Sequence, residues 1–406
     1  MTRSTFTRTA SRLLALAGSL VLACIACAPA KAANWYFPTE TVGNANQFGF
    51  AVGLAVRADG QVLVADSNFS GGQKVFRFDT ANALQNTASI SSTSAGAGIS
   101  CVTATGGTDF IVDSPWDKPI RKFDEGGTEI GWVDGMSLWL GNGYNGNPGP
   151  GHPQCVVRSG DYLFAISDRG SGSIIPSLSR WNVSDLTLGP VREGIPFDGA
   201  LTGLAADLGS NVYVVDSGAH QLQSFDSALQ LRWTTAGPGT GAGQLSNPTA
   251  VAVDPSLGFA YVVDNGDDPA MTDNRLVAFD IFDGSFVKTV KTPFNVSAIT
   301  FDQTNSWEPI LAAGQSVYRG SFAVQPQVRI AGKPRKVTRS RVASFRFTSD
   351  EPDTSFTCQL DRGSAKSCQA ATRFRGLRRG RHTLKVTGNA PDALPSAVTT
   401  WRWTVR

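Results

Sequence analysis

Apolar and polar residues alternate in short bursts along this chain, and the clearest set runs over residues 200–235. Four runs stand out there, at 201–206, 211–215, 220–225 and 229–234. Each is rich in residues that suit a pleated, half-buried surface, and turn formers separate them. In the second run Val212 and Val214 face one way, Tyr213 and Val215 the other. Both faces are apolar. The four-stranded sheet that the runs predict must therefore be covered on both sides, and a copy stacked on each face would do it.

The sequence supplies the copies. A strand ending in Asp recurs as VLVAD (Asp66), DFIVD (Asp113), FAISD (Asp168), VYVVD (Asp216) and AYVVD (Asp264), at spacings of 47, 55, 48 and 48 residues. A sixth copy, ILAAG, puts Gly314 in place of the Asp. An aromatic–Asp pair closes each third strand: Phe78-Asp79, Phe123-Asp124, Phe225-Asp226 and Phe279-Asp280, with Trp181-Asn182 as a variant. Four strands every 40–50 residues predict propeller blades. Six copies fit between Ala33 and Val324. The last lacks an outer strand, and residues 34–37 (NWYF) are predicted to supply it, with Trp35 and Phe37 buried. The Gly-rich stretches 141–153 and 237–248 superficially suggest nucleotide loops. Neither lies between a strand and a helix, so both read as connectors between blades.

Composition agrees. The 406 residues include 43 Gly and 21 Pro, which suits an all-β protein with many turns. Residues 1–32 are set apart from the fold. Arg3, Arg8 and Arg12 precede an apolar run at 13–28, and Ala30-Lys31-Ala32 fits a cleavage site, so a signal peptide and an exported protein are predicted. The run is short for a membrane span, so no transmembrane segment is expected in the mature chain. A lipoprotein anchored through Cys24 or Cys27 is the alternative, and the residues before them fit the lipidation pattern only in part.

The repeats resemble the NHL family of six-bladed propellers. The resemblance lies in GAGQLSNPTAVAVD at 241–254 and NVYVVDSGAHQLQSFD at 211–226, and covers most of 40–320. At Gln325 the repeat stops. Residues 325–406 hold 17 Lys+Arg against 5 Asp+Glu, whereas 33–324 hold 15 against 28. Short strands at 342–349, 355–359, 382–387 and 399–405 predict a small sandwich. This part resembles a bacterial Ig-like domain in FRFTSDEPDTSFTCQLD (345–361), AKSCQ around Cys368, GLRRGRHTLKV (376–386) and WRWTV (401–405). The resemblance implies a Cys358–Cys368 disulfide and a spacer or adhesive role.

Candidate chemistry is sparse. Only three His occur, His152, His220 and His382, too few and too scattered for a His-based zinc site. Asp264, Asp267, Asp268 and Asp273 crowd one loop of the fifth blade and form the candidate metal site, with Ca²⁺ as the fitting ion. Against this, each strand-end Asp can be used up by hydrogen bonds in its own loop. No G-x-S-x-G nucleophile elbow occurs in the mature chain. Cys101 and Cys155 fall at similar places in the first strands of blades 2 and 3. An exported chain with an even cysteine count favours a bond between them. The limit of about 7 Å between Cα atoms opposes it, and buried free thiols are the other reading. Arg373, Arg375, Arg378, Arg379 and Arg381 form a basic run, either a solvated hairpin, a surface for an anionic envelope polymer, lipid headgroup or acidic protein, or a surface that docks on the chain's own acidic propeller. Nucleic acid is not expected as a partner of an exported protein.

The sequence therefore predicts an all-β protein: a six-bladed β-propeller at 33–324, then an Ig-like β-sandwich at 325–406. The leading expectation is a secreted or envelope-associated monomer that binds a ligand or protein through a propeller face, without catalysis or a resident cofactor. The alternative is a divalent-metal-dependent lactonase- or lyase-like enzyme. Convergence of acidic and amide side chains on the channel would favour the second.

Overall fold

The computed structural model describes residues 33–68, 72–90, 98–113, 120–133, 153–167, 176–193, 197, 200–266, 273–391 and 393–406. Every regular element among them is a β-strand. In the first repeat, Ala51–Val56, Val62–Asn68, Gly72–Phe78 and Leu84–Ile90 pair in chain order, antiparallel throughout. The same meander forms over 102–133, 153–193 and 201–234. Two further meanders, over 248–291 and 298–325, share one eight-stranded sheet with Ala33–Thr41.

The first strands touch in cyclic order. Ala51–Val56 meets Val102–Ala104, and contact passes on through Pro153–Ser159, Leu201–Ala206, Pro248–Asp254 and Ala298–Asp302 back to Ala51–Val56. The sheets thus stand around one axis as a β-propeller, first strands innermost. The two sequence markers now have physical roles. Phe78, Phe123, Trp181, Phe225 and Phe279 are buried among the sheets. The Asp that follows accepts the amides of its own turn: Asp79 from Ala81 and Ala83, Asp226 from Ala228 and Gln230. Val212–Asp216 is buried along its whole length, as two apolar faces require.

Ala33–Thr41 closes the ring. It pairs antiparallel with Ser316–Gln325, Tyr36 opposite Phe322, and also meets Phe286–Lys291 in parallel through Asn34 and Trp35. The closing strand is the predicted one, but its predicted inward side chains are not. Tyr36 is the buried residue, Phe37 is 47% exposed, and Trp35 is half-buried. A strand turns alternate residues to opposite faces, so Tyr36 cannot share a side with Trp35 and Phe37. The register sets Tyr36 against Phe294 and Phe322, and its hydroxyl donates to the Tyr318 carbonyl at 2.9 Å.

Beyond the ring, a three-stranded sheet (Val328–Gly332, Ala343–Ser349, Ala371–Phe374) faces a five-stranded one (Val337–Thr338, Thr399–Val405, Gly380–Asn389, Ser355–Leu360, Lys366–Cys368). Their inner sides share a core that includes Phe345, Phe347, Phe356, Leu384, Val386 and Trp403. Cys358 and Cys368 are bonded, as are Cys101 and Cys155. The Cα atoms of the second pair lie 4.9 Å apart, within the limit that opposed the bond. No helix among the described residues is long and apolar enough to cross a membrane. The predicted leader at 1–32, with Cys24 and Cys27, lies outside the described residues, as do Asp168, His152 and the connector at 141–152.

Candidate functional site

The inner strands enclose a cavity of about 610 Å³ along the ring axis. At the end where these strands begin, backbones come into contact. A Cβ on Gly53 would stand 2.9 Å from the Cα of Cys101, and one on Gly203 would stand 2.8 Å from that of Ala250. The Cys101–Cys155 bond belongs to the same stretch of wall. At the opposite end the cavity is bordered by hairpin turns, one from each repeat: Ala58, Gly106, Gly160, Leu208, Pro255 and Gln303. Aliphatic side chains such as Val52, Leu54 and Val56 alternate with hydroxyls such as Thr202, Thr249 and Thr300 along the wall.

Acidic and amide side chains do not converge here among the described residues. Among the described residues Asp207 is the one carboxylate in the lining, and it serves its own turn. One oxygen accepts the amides of Gly209 and Asn211; the other accepts Asn211 Nδ2 and the Tyr213 hydroxyl. Among the described residues Gln303 is also the one amide side chain and Arg158 the one cation in the lining. Sequence reasoning missed it as a site residue. The available signal was a charge at the end of an otherwise apolar first strand, VVR at 156–158.

The strand-end Asp residues are buried and occupied. Asp66 accepts the Phe50 amide at 2.7 Å, Asp113 accepts those of Ser100 and Cys101, and Asp216 accepts that of Ala219. Asp264 accepts the amides of Ser246 and Asn247 and pairs with the Arg275 guanidinium at 2.7 Å. Burial pushes the Asp113 carboxyl up to about 7, although the Cys101 and Ser100 amides pull it down. The folded protein therefore holds this proton more tightly than the unfolded chain. Its contribution to stability is present below the unfolded value near 4 and is lost as pH rises through about 7. Asp113→Asn keeps an acceptor oxygen for the amides and removes the titration. Its melting temperature relative to the parent is expected to rise from pH 5 to pH 7 and then level off. Parallel curves for the two proteins across that range would refute the assignment.

Of the predicted metal cluster, Asp264 and Asp273 are described, and Asp267 and Asp268 lie outside the described residues. Asp273 packs against Gly266, and one of its carboxylate oxygens is buried without a hydrogen-bond partner. Among the described residues no three His, Cys, Asp or Glu side chains are grouped as a metal site would need. His220 sits in a turn with a left-handed φ of 54°. In the basic run Arg373, Arg375, Arg378, Arg379 and Arg381 are all exposed. His382 roots that run. Its Nδ1 meets Asp361 at 2.8 Å, its Nε2 meets the Arg378 carbonyl at 2.8 Å, and its ring lies against Trp403. Burial lowers its pKa, but the Arg378 carbonyl and Asp361 outweigh it and hold the imidazole above its ordinary value.

No family model matches this chain, and no curated protein does. Solved structures overlap it in part. A streptogramin B lyase superposes with a TM-score of 0.49 at 13% identity, over 71% of this chain and 98% of that one. A gluconolactonase from Xanthomonas campestris gives 0.48 at 17%, over 73% and 98%. An extracellular domain from B. thetaiotaomicron gives 0.42 at 10%, over 88% and 49%. Overlaps this loose decide neither fold nor activity, and the ring rests on the strand pairing itself.

Proposed function

We propose that this chain is an exported, non-catalytic binding protein: a six-bladed, NHL-like propeller whose channel takes a small ligand, followed by an Ig-like module. The carrying observation is the lining of the channel. Its volume suits a small molecule. Its single carboxylate is consumed by a turn, which leaves the described wall without the converging acids that a divalent ion or acid–base chemistry needs. Two disulfides agree with export to an oxidising compartment. The basic module carries the attachment role in this reading. Arg329, Arg346 and Arg373 lie exposed on its smaller sheet, and Arg381, Lys385 and Arg402 on its larger one, so both outer faces suit an anionic envelope polymer.

The rival is a divalent-metal-dependent lactonase- or lyase-like enzyme, with Ca²⁺ at Asp264, Asp267, Asp268 and Asp273. Turnover of a panel of lactones and esters, with and without millimolar Ca²⁺, separates the two. No turnover above background is expected, and Ca²⁺ is expected to raise the melting temperature by no more than a degree or two. Calcium-dependent hydrolysis that disappears in Asp273→Asn would replace the binding reading with the enzymatic one.

A further inference from the structure

We propose that the turn-lined mouth of the channel binds an amphipathic organic monoanion, its carboxylate on Arg158 and its apolar body along the channel wall. This rests on the channel being a ligand site and adds the class of ligand. The Arg158 guanidinium is held in place without being neutralised. It lies over Gly106, where a Cβ would fall 2.3 Å from Nη1, and the positive φ of 87° at Gly106 also favours glycine. The backbone amide of Arg158 donates to Thr103 Oγ1 at 3.0 Å, fixing the strand end that carries it.

No ion pair or side-chain hydrogen bond meets this guanidinium among the described residues, and its Nε is buried without a partner. Three buried or half-buried arginines of the ring are paired, Arg57 with Asp59, Arg275 with Asp264 and Arg319 with Asp302; Arg192 also has an unpartnered Nε but lies outside the channel lining. A guanidinium taken partly out of water without a counter-charge is costly, and an arriving anion relieves that cost. Asp207, the lining carboxylate, cannot serve, because both its oxygens are occupied.

The chemistry of the wall narrows the class. A single cation matches a single negative charge, and the planar fork of arginine matches a carboxylate. Val52 and Leu54 offer apolar surface farther from the turns than Arg158. A cavity of about 610 Å³ has room for a chain of medium length. The hairpin turns that border the cavity, Gly106 and Gly160 among them, make the end nearest Arg158 the proposed entrance.

The test uses decanoate and decanol, titrated calorimetrically at pH 8 into the mature chain and into its Arg158→Gln and Arg158→Lys variants. Decanoate is expected to bind at least tenfold more tightly than decanol. Arg158→Gln should remove that preference while leaving decanol binding unchanged and the ligand-free melting temperature no lower, and Arg158→Lys should keep part of it. Equal affinity for the two probes, or decanoate binding untouched in Arg158→Gln, overturns the anion site and leaves the channel reading standing. If neither probe binds at millimolar concentration, the channel reading falls too. A decyl sulfate arm sorts carboxylate from anion in general: binding as tight as decanoate would overturn the carboxylate assignment.

Discussion

Replacing Cys101 and Cys155 together with alanine is expected to cost the ring about 4 kcal/mol, the chain-entropy value for a loop of this size. At this chain length that corresponds to a fall in melting temperature of roughly 5–7 °C. The bond ties the first strands of two neighbouring repeats where they line the channel. Cys155 packs with Phe164, Leu201 and Leu204, so alanine also loses a little packing. Thermal unfolding with and without a reductant gives the measurement. The reduced parent should behave like the double variant. The Cys358–Cys368 bond spans only 10 residues, so its removal should cost less and should leave the ring's transition unmoved. A double variant that melts within two degrees of the oxidised parent would show that packing alone holds these two repeats together.

Tyr36→Ala is expected to destabilise the ring by about 4 kcal/mol, from lost aromatic burial and a lost hydrogen bond. Tyr36→Phe keeps the ring contacts with Phe294 and Phe322 and gives up only the bond to Tyr318, about 1 kcal/mol. Phe37→Ala on the exposed side should shift stability by no more than about 0.5 kcal/mol. Urea denaturation orders the three. If Phe37→Ala proved as damaging as Tyr36→Ala, the register of the closing strand would be wrong by one residue. Deleting 33–41 should go further and broaden the transition, because two strands lose their partner at once.

Much of the ring was legible because its markers do two jobs each. An aromatic such as Phe225 must be buried between sheets, and the Asp after it must hold a turn, so both recur at the repeat period. Strand edges were less legible: His220 and Leu229 read as strand residues but occupy turns with left-handed φ. The side of the closing strand was misread, because NWYF carries aromatic residues on both faces and only the pairing register chooses between them. The Cys101–Cys155 distance depends on how tightly inner strands converge, which Gly53 and Gly203 permit and no periodicity reports. Arg158 was hidden for the same reason. A missing counter-charge is a property of the assembled wall, invisible in the order of residues.

The closing strand also dictates a sequence in time. In the exported reading proposed above, residues 33–41 cross first, yet their partner at Ser316–Gln325 arrives about 280 residues later. Until then the earliest strand has nowhere to dock, and the meanders form as an open arc with two raw edges. Such edges invite pairing with other chains. Contacts this distant in sequence also make ring closure slow. For a protein built this way, the hazard of misassembly lies in the interval before the last repeat emerges, and whatever shields 33–41 during that interval governs how much of it reaches its final shape.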